Sequence, residues 1–386
     1  MDGKGVVKRR VLWEGPGANR TDMSSPLCTI VIPAYNAGMW IERTLQSAAQ
    51  QNYSNLEILV IDDGSKDNTR VLAEAMAAVD DRFRVISIPN GGVANARNVG
   101  IREACGKYVA FLDADDLWHP DKIRLQVEAM QQLTDGVLPA ASYTLMRFID
   151  VHDRVTGTGT TVGVSGYMLA RHLYFKFVGN GSSVLVRRDV ALELGGYDPS
   201  WAAQGIGGCE DLDFELKVAA RYPIVCVPQL LVGYRSRPGT MSSSNPLEMA
   251  RGCLGVVKQH LKTNPQIPGW ATRLIYASTL DVTQSWLFSG HRRLDGLEHL
   301  GLMFVNQPQR AIRFALRMLK RLTKRAMGFR QRKAEEELAS RPRFAEVSPK
   351  IDLAQCKVWL RRNQQILNRF TALDTDLWRE MSQNQL

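Results

Sequence analysis

An apolar run that ends in several carboxylates is the part of this sequence best suited to chemistry. Residues 108–112 are apolar enough to form a buried strand, and Asp113, Asp115 and Asp116 follow directly. Ligands bind at strand ends in open α/β sheets, and Mg²⁺ is usually held by one or two carboxylates together with substrate phosphates. The pattern therefore predicts a metal–diphosphate site containing Asp113 and Asp115. Asp116 has a simpler interpretation, as a residue that opens the next helix.

Three further polar clusters adjoin predicted elements in the same part of the chain. Each is weak evidence alone, because Asp-Gly-Ser, for example, is common in turns. The ends of successive parallel strands lie along one edge of a sheet, so the clusters can converge on one crevice. They are residues 33–36 after the first strand, residues 62–65 after the second, and residues 90–98 at the start of a helix.

The elements that would position these clusters alternate between strand and helix up to about residue 150. This alternation indicates βαβ units and a mostly parallel sheet. The strands are predicted at 27–32, 56–61, 83–88 and 107–112, and the helices at 39–51, 67–79 and 93–104. Farther along, the pattern predicts helices at 121–133, 189–194 and 210–221, strands at 142–148 and 182–187, and a loop at 156–166.

Beyond about residue 246 the pattern is almost entirely helical. This region is either a small appended helical domain or a set of helices packed back on the sheet. The helices are predicted at 247–262, 269–289, 291–305, 309–327 and 352–370. We therefore expect a flexible segment at 1–25, an α/β domain at 26–245 and a helical region at 246–386.

The composition is that of a soluble globular protein, with 45% hydrophobic and 23% charged residues among 386. No apolar run is long enough to span a bilayer, and residues 1–10 lack the apolar core of a secretory signal. The six cysteines include no CxxC pair, so neither a zinc site nor a disulfide framework is indicated. We expect a cytoplasmic protein.

The net charge of +10 is concentrated in one segment, since residues 301–333 contain Lys and Arg but no Asp or Glu. Within it, residues 309–327 have the spacing of a basic amphipathic helix, which is typical of helices that lie on membranes. One interpretation places residues 309–333 on the anionic inner face of the cytoplasmic membrane. In the other, the apolar side packs on the domain and the charges are solvated. Nucleic-acid binding is not expected, because base-stacking aromatic residues are not interleaved with the charges.

In their order and spacing, the four clusters resemble the family 2 glycosyltransferases, an inverting group with the GT-A fold. The resemblance covers about residues 27–240. It implies that a nucleotide sugar binds through the loop after the first strand, the aspartates after the second, the glycine/ARN segment and the D-x-D motif. The corresponding residues are Pro33, Ala34, Tyr35, Asn36, Asp62, Asp63, Gly92, Arg97, Asn98, Asp113 and Ala114. It also implies that Asp115, with Asp113, holds a divalent cation, Mg²⁺ or Mn²⁺.

An acidic pair farther along the chain completes the resemblance. In the family such a pair opens a helix and supplies the general base, and Asp211 is the closest match, beside Glu210. Carboxylates are favourable at helix N-termini in any case, so capping is the alternative for Glu210 and Asp213. Tyr234 and Arg235 resemble a late Tyr-Arg element on the acceptor side or near the diphosphate. The Q-x-x-R-W motif of processive relatives is missing, which predicts an enzyme that adds one or a few sugars.

Together these features and the resemblance predict a metal-dependent inverting transferase that moves a sugar from a nucleotide sugar, expected to be a UDP-sugar, to a hydroxyl of a saccharide or lipid-linked acceptor. Residues 26–118 would form its nucleotide-binding half and 119–245 its acceptor half. A sugar nucleotidyltransferase is one alternative, but the loop at 33–38 lacks the basic residues of a phosphate loop. A nicotinamide-dependent oxidoreductase is disfavoured because no G-x-G-x-x-G follows the first strand. A non-catalytic protein that binds nucleotide sugars is the remaining alternative.

Overall fold

The computed structural model describes residues 25–204, 208–236, 245–289 and 340–383, together with 301, 308, 311, 312, 315 and 316. The strands are β1 Cys28–Ala34, β2 Leu56–Asp62, β3 Phe83–Ser87, β4 Tyr108–Phe111, β5 Leu117–Trp118, β6 Ala141–Ile149, β7 Val155–Thr158, β8 Val184–Arg187 and β9 Ile224–Arg235. The helices are α1 Ile41–Ala49, α2 Thr69–Ala77, α3 Val93–Glu103, α4 Lys122–Met130, α5 Leu169–Phe175, α6 Arg188–Glu193, α7 Ser200–Ala203, α8 Glu210–Ala219, α9 Pro246–Thr263, α10 Gly269–Ser289 and α11 Leu353–Gln383.

A single mixed sheet runs through the described part of the chain, in the order β3-β2-β1-β4-β8-β6-β9-β5, with β7 added to β6. The first four strands are parallel, as their alternation with helices predicts. Beyond β4 the sheet changes direction, because β8 is antiparallel to both β4 and β6. The α/β fold with flanking helices is therefore confirmed, and the parallel pattern holds for the first half.

Helices cover both faces of the central strands. Along β1, Val31 faces one hydrophobic cluster while Ile30 and Ile32 face the other, and all three side chains are fully buried. Strands buried on both faces have nearly continuous apolar sequences, because neither face is left for polar residues. This double burial explains why β1, β2 and β4 are mostly apolar, and why clusters of polar residues occur where these strands end. Strand β3, at the edge of the sheet, is only partly buried and includes Arg84.

Three elements of the acceptor half differ from the sequence predictions. The loop predicted at 156–166 begins with strand β7, which pairs with the edge of β6 despite its Gly and Thr content. Strand β9 was not predicted, although it pairs with β6 along most of its length. Helix α5 was not predicted either, because its seven residues are too few to show a helical period.

The described C-terminal helices share a core with the sheet. Cys253 of α9, Ile275 of α10 and Phe370 of α11 belong to the same buried cluster as Val31 and Phe111. This packing matches the second sequence interpretation, helices folded back on the sheet. Helix α11 begins where predicted but continues to Gln383.

Several sequence expectations lie outside the described residues. They are the flexible segment at 1–24, the helix at 291–305 except residue 301, and the basic helix at 309–327 except residues 311, 312, 315 and 316. Among the helices that the structure does describe, none has the length and apolar character needed to cross a bilayer.

Candidate active site

A cavity of about 880 Å³ opens at the carboxyl ends of β1, β2 and β4. Helices α5, α8, α9 and α10 supply its other walls, and its volume lies in the range of small-molecule sites. Most of the residues that the sequence nominated line it: Pro33, Ala34, Tyr35, Asn36, Asp63, Gly92, Arg97, Asp113, Ala114, Asp115, Glu210, Asp211, Tyr234 and Arg235. Two nominated residues, Asp62 and Asn98, are not part of its wall.

Asp63 holds the loop that opens α3. Its two carboxylate oxygens accept hydrogen bonds from the backbone N–H groups of Gly91 at 2.8 Å and Gly92 at 2.9 Å. Gly92 has φ 84°, in the left-handed region where glycine is favoured. Asp62 instead accepts a hydrogen bond from the backbone of Ser65 at 3.1 Å and stabilises its own turn. Of the two aspartates, Asp63 is therefore the one placed to meet a ligand.

Arg97 and Asp113 form an ion pair in the cavity wall. The Arg97 Nη2 atom lies 2.7 Å from Asp113 Oδ1, and the arginine side chain is 5% exposed. Its guanidinium carbon lies 5.0 Å from the ring centroid of Tyr197. Asn98 fixes that tyrosine, because its side chain exchanges hydrogen bonds of 2.7 and 2.8 Å with the Tyr197 backbone. Asn98 thus positions the support of Arg97 and does not itself face the cavity.

Arg235 fixes the D-x-D turn from the last strand of the sheet. It is 1% exposed, and its Nε atom donates to the backbone oxygen of Asp115 at 2.7 Å. Its other nitrogens donate to the backbone oxygen of Asp150 at 2.5 Å and to the carboxylate of Asp153 at 2.6 Å. The guanidinium is therefore largely occupied by protein groups. Its contacts make Arg235 a residue that positions Asp115.

Asp116 does not open the next helix, so that sequence interpretation is wrong. The residue before α4 is Asp121, and Asp116 is fully buried behind the turn. Its carboxylate accepts hydrogen bonds from Ser182 at 2.6 Å, Asn180 at 3.0 Å and the Arg235 backbone at 2.9 Å. Burial and the charges of Asp115 and Asp113 raise its pKa well above the usual range. Asp116 binds the turn to two distant segments.

The D-x-D carboxylates suit a divalent cation that a substrate helps to hold. Asp113 and Asp115 both line the cavity, and the Asp113 side chain is 28% exposed although it pairs with Arg97. No group of three or more His, Cys, Asp or Glu side chains that could hold a metal occurs within the described residues. Mg²⁺ usually binds one or two carboxylates and takes its other ligands from phosphates and water. Two carboxylates therefore fit a cation that binds with a nucleoside diphosphate.

Asp211 lies in the first turn of α8, where the chain enters the cavity wall. One of its oxygens accepts a hydrogen bond from the Leu212 backbone at 2.9 Å. Burial raises the pKa of Asp211 to about 6. The charge of Arg97 lowers this pKa, whereas the charges of Glu210 and Asp113 raise it further. A carboxylate with a pKa near 6 can accept a proton at neutral pH. Asp213, for which capping was the alternative, instead pairs with His260 and Lys217 in the interior.

Two charged residues of the cavity wall were missed by the sequence analysis. Glu215 follows Asp211 by one helical turn and pairs with buried His172 at 3.0 Å. Burial and the charge of Asp211 raise the pKa of Glu215. The i, i+4 spacing on the predicted helix 210–221 would have identified Glu215. Lys176 follows α5 and also lines the cavity, but nothing in the sequence around it indicates this position.

Comparisons with known proteins agree with this arrangement. The model of glycosyl transferase family 2 matches residues 29–153. The Bacillus subtilis protein TuaG, provisionally assigned as a teichuronic acid biosynthesis glycosyltransferase, is 40% identical over 108 residues, which are 28% of this chain and 43% of TuaG. The aligned part of this chain spans 14 to 43% of the length of eight such curated relatives.

Solved structures extend the likeness beyond the matched segment. TarS 1–349 of S. aureus with UDP-GlcNAc has a TM-score of 0.53 at 19% identity, covering 74% of this chain and 82% of that one. The mannosyltransferase PcManGT of Pyrobaculum calidifontis, with GDP-Man and Mn²⁺, has a TM-score of 0.50 at 19% identity, covering 76% and 81%. These likenesses show a GT-A fold. Residues 29–153 are thus the segment through which the chain resembles glycosyl transferase family 2.

Proposed function

We propose that this protein is a metal-dependent inverting glycosyltransferase of polysaccharide biosynthesis. It moves a sugar from a nucleotide sugar, UDP-linked, to a hydroxyl of a saccharide or lipid-linked acceptor. The observation that carries the proposal is the cavity shared by Asp211, whose pKa is raised to about 6, and the Asp113 and Asp115 carboxylates. A proton acceptor and a cation-binding pair in one cavity are the two parts that sugar transfer from a diphosphate requires.

Asp211 acts on the acceptor in this mechanism. Its carboxylate takes the proton of the acceptor hydroxyl while the hydroxyl oxygen forms a bond to the anomeric carbon. The bond from that carbon to the diphosphate oxygen breaks on the opposite face, so the configuration inverts. The pKa of about 6 leaves Asp211 mostly ionised at neutral pH, and therefore ready to accept the proton.

Asp113, Asp115 and Arg97 act on the donor. A divalent cation held by the two aspartates would offset the charge that grows on the departing diphosphate. Arg97 holds Asp113 in place through their ion pair, and Arg235 holds the backbone of Asp115. These contacts fix the two carboxylates before a donor arrives, which reduces the reorganisation that the reaction needs.

The nucleoside would bind at the ends of β1 and β2. Tyr35 is 49% exposed and lines the cavity, so its ring is accessible to a base. The Asp63 carboxylate accepts hydrogen bonds from two backbone N–H groups and, at 3.3 Å, from the Asn90 side chain. A carboxylate has about four acceptor sites, so one remains for a base N–H group. The UDP-GlcNAc complex of TarS supports a UDP-sugar, and the assignment of TuaG supports a role in polysaccharide synthesis.

A donor screen tests the proposed function. Purified full-length protein is incubated with several UDP- and GDP-sugars and an acceptor mixture, with Mn²⁺ or with EDTA, and nucleotide release is measured. We expect release from a UDP-sugar that EDTA abolishes. A sugar nucleotidyltransferase would instead form pyrophosphate from a nucleoside triphosphate and a sugar phosphate. UDP binding without release from any donor would indicate a non-catalytic protein.

The pH dependence of transfer follows from the pKa of Asp211. The base works only when it is ionised, so kcat/KM should rise as the pH increases from 5 to 7, with a midpoint at about 6. Glu210→Gln removes a negative neighbour that raises this pKa, so the midpoint should fall in that variant. Initial rates measured across this pH range at constant ionic strength give the midpoint for the wild type and for the Glu210→Gln variant. A profile that is flat between pH 5 and 7 would contradict the role of Asp211.

Peripheral contact with an anionic membrane through residues 309–333 is a separate part of the proposal. It rests on the basic amphipathic pattern of the sequence, and it would bring lipid-linked acceptors within reach. Co-sedimentation with anionic vesicles tests it, since screening by salt should release the protein. Failure to bind such vesicles at low salt would remove the membrane interpretation.

A further inference from the structure

The cavity contains one cation that pairs with no carboxylate of the described residues. Among the described cavity residues the cations are Arg97, Arg235 and Lys176, and the two arginines pair with Asp113 and Asp153. The Lys176 Nζ atom donates instead to the Leu173 backbone oxygen and to Thr279 Oγ1, both at 3.1 Å. An ammonium group has three donors, so one remains after these two contacts.

The backbone at Lys176 gives no reason for a lysine. The residue ends α5 in the left-handed conformation, with φ 51°. Among described residues, the other non-glycine positions with positive φ are Asn36, Asp135 and Asp153, residue types that tolerate this conformation. Glycine is the usual residue after a helix in this conformation, and a longer side chain there is unfavourable. We infer that the Lys176 side chain, and not its backbone, accounts for the lysine at this position.

The environment of Lys176 is unfavourable for an isolated charge. Burial lowers the pKa of its ammonium group, and only the thiols of Cys253 and Cys209 oppose this shift among the described residues. A cation removed from water is costly unless an anion or hydrogen bonds compensate. A negatively charged ligand would supply the missing compensation.

The position of Lys176 in the cavity indicates which substrate it would meet. The donor residues lie at the ends of β1, β2 and β4, whereas Lys176 follows α5 and approaches Cys209, two residues before Asp211. Apolar side chains of Phe175, Met249 and Val282 line the same cavity, and such surfaces suit the apolar face of a sugar ring. This wall is therefore on the side of the general base, where an acceptor binds.

We propose that the acceptor is an anionic saccharide, whose carboxylate or phosphate binds the Lys176 ammonium group. The proposal rests on the proposed function and specifies its acceptor. Glu210, Asp211 and Glu215 also line this cavity, so an anion elsewhere along the α8 wall would meet like charges. Lys176 thus both attracts the charged group and fixes where it lies relative to Asp211.

Binding to the UDP- and Mn²⁺-saturated full-length protein tests the proposal by calorimetry. One arm compares methyl β-glucuronide with methyl β-glucoside, and a second compares glucose 6-phosphate with glucose. We expect at least tenfold tighter binding of the charged sugar in one arm. Lys176→Met should remove that preference, whereas Lys262→Met, at an exposed position of α9, should retain it. Tighter binding of the glucuronide in the first arm would identify the charged group as a carboxylate. Tighter binding of glucose 6-phosphate in the second arm would identify it as a phosphate.

Two further variants separate a specific role from a structural one. Lys176→Arg keeps the charge and should keep part of the preference, and Thr279→Val removes the hydroxyl that positions Nζ and should weaken it. If Lys176→Met does not fold, the Thr279→Val result decides. Equal or undetectable binding of the charged and neutral sugars in both arms would overturn the proposal. Charged-sugar binding without transfer from any donor would count against the proposed function and leave the anion site supported.

Discussion

Asp211→Asn should abolish sugar transfer while donor binding is retained. Asparagine has nearly the same shape as aspartate but cannot take the proton of the acceptor hydroxyl at neutral pH. General-base catalysis typically contributes about 10²–10⁴-fold, so kcat should fall by that factor. Asp211 lies on α8, whereas the proposed nucleoside-binding residues lie on β1, β2 and the loop before α3, and its hydrogen bond is to the backbone of its own helix. The measurements are product formation under saturating donor and UDP affinity by titration.

The matched control is Asp376→Asn on the exposed side of α11. Its carboxylate is 65% exposed and pairs with Arg379 at the surface, so the same chemical change should leave transfer unaltered. Full transfer by Asp211→Asn would refute its role as the base. Loss of UDP binding in that variant would show that Asp211 supports the donor site instead.

Asp115→Ala should weaken metal-dependent UDP binding, whereas Asp116→Ala should lower stability, although the two residues are adjacent. Asp115 lines the cavity, so its loss should weaken Mn²⁺-dependent UDP binding by at least tenfold and change stability by less than about 1 kcal/mol. Asp116 is buried, and its loss leaves Ser182, Asn180 and the Arg235 backbone without their acceptor. At roughly 1–3 kcal/mol for each buried unsatisfied group, Asp116→Ala should lower the free energy of unfolding by about 3 kcal/mol or more.

Urea denaturation and UDP titration with Mn²⁺ or EDTA separate the two effects. The Asp115→Ala protein should bind UDP equally well with Mn²⁺ and with EDTA. Unchanged metal-dependent affinity in this variant would remove Asp115 from the cation site. An Asp116→Ala protein as stable as the wild type would show that its three hydrogen bonds are replaced by others or by water.

The parallel half of the fold was predictable because its signals are local. Strands β1, β2 and β4 are short, mostly apolar runs buried on both faces, and the helices between the strands have clear periods. Strand β3 lies at one edge of the sheet, and only Phe83 in it is buried. Strand β9 escaped prediction because Pro228 and Gln229 interrupt its apolar run, and an irregularity in its pairing with β6 accommodates both residues. Strand β7 escaped because only its partner makes it a strand. Pairing of this kind depends on residues distant in the chain.

The candidate site likewise contains residues that local motifs identify and residues whose roles depend on distant parts of the chain. The aspartates at 113 and 115 and the acidic pair at 210–211 could be nominated because they lie in recognisable motifs, and the cavity contains all four. Asp116 was misinterpreted because its partners, Ser182 and Arg235, are distant in sequence. Lys176 was missed because it follows a helix too short to predict. A side chain's motif can thus be identified locally, but its partners require the tertiary structure.

The hydrogen bond from Arg235 to the backbone of Asp115 limits where this protein can be cut into fragments that keep the D-x-D turn intact. The segment that matches the family ends at residue 153, but Asp113 and Asp116 depend on Ser182, and Asp115 depends on Arg235. A fragment that stopped at residue 153 would carry every donor motif and lack the groups that hold the acidic turn in shape. In this chain the proposed donor site and acceptor half therefore cannot be separated at residue 153. Grafting a new acceptor half must preserve Ser182 and Arg235, or the donor site fails with it.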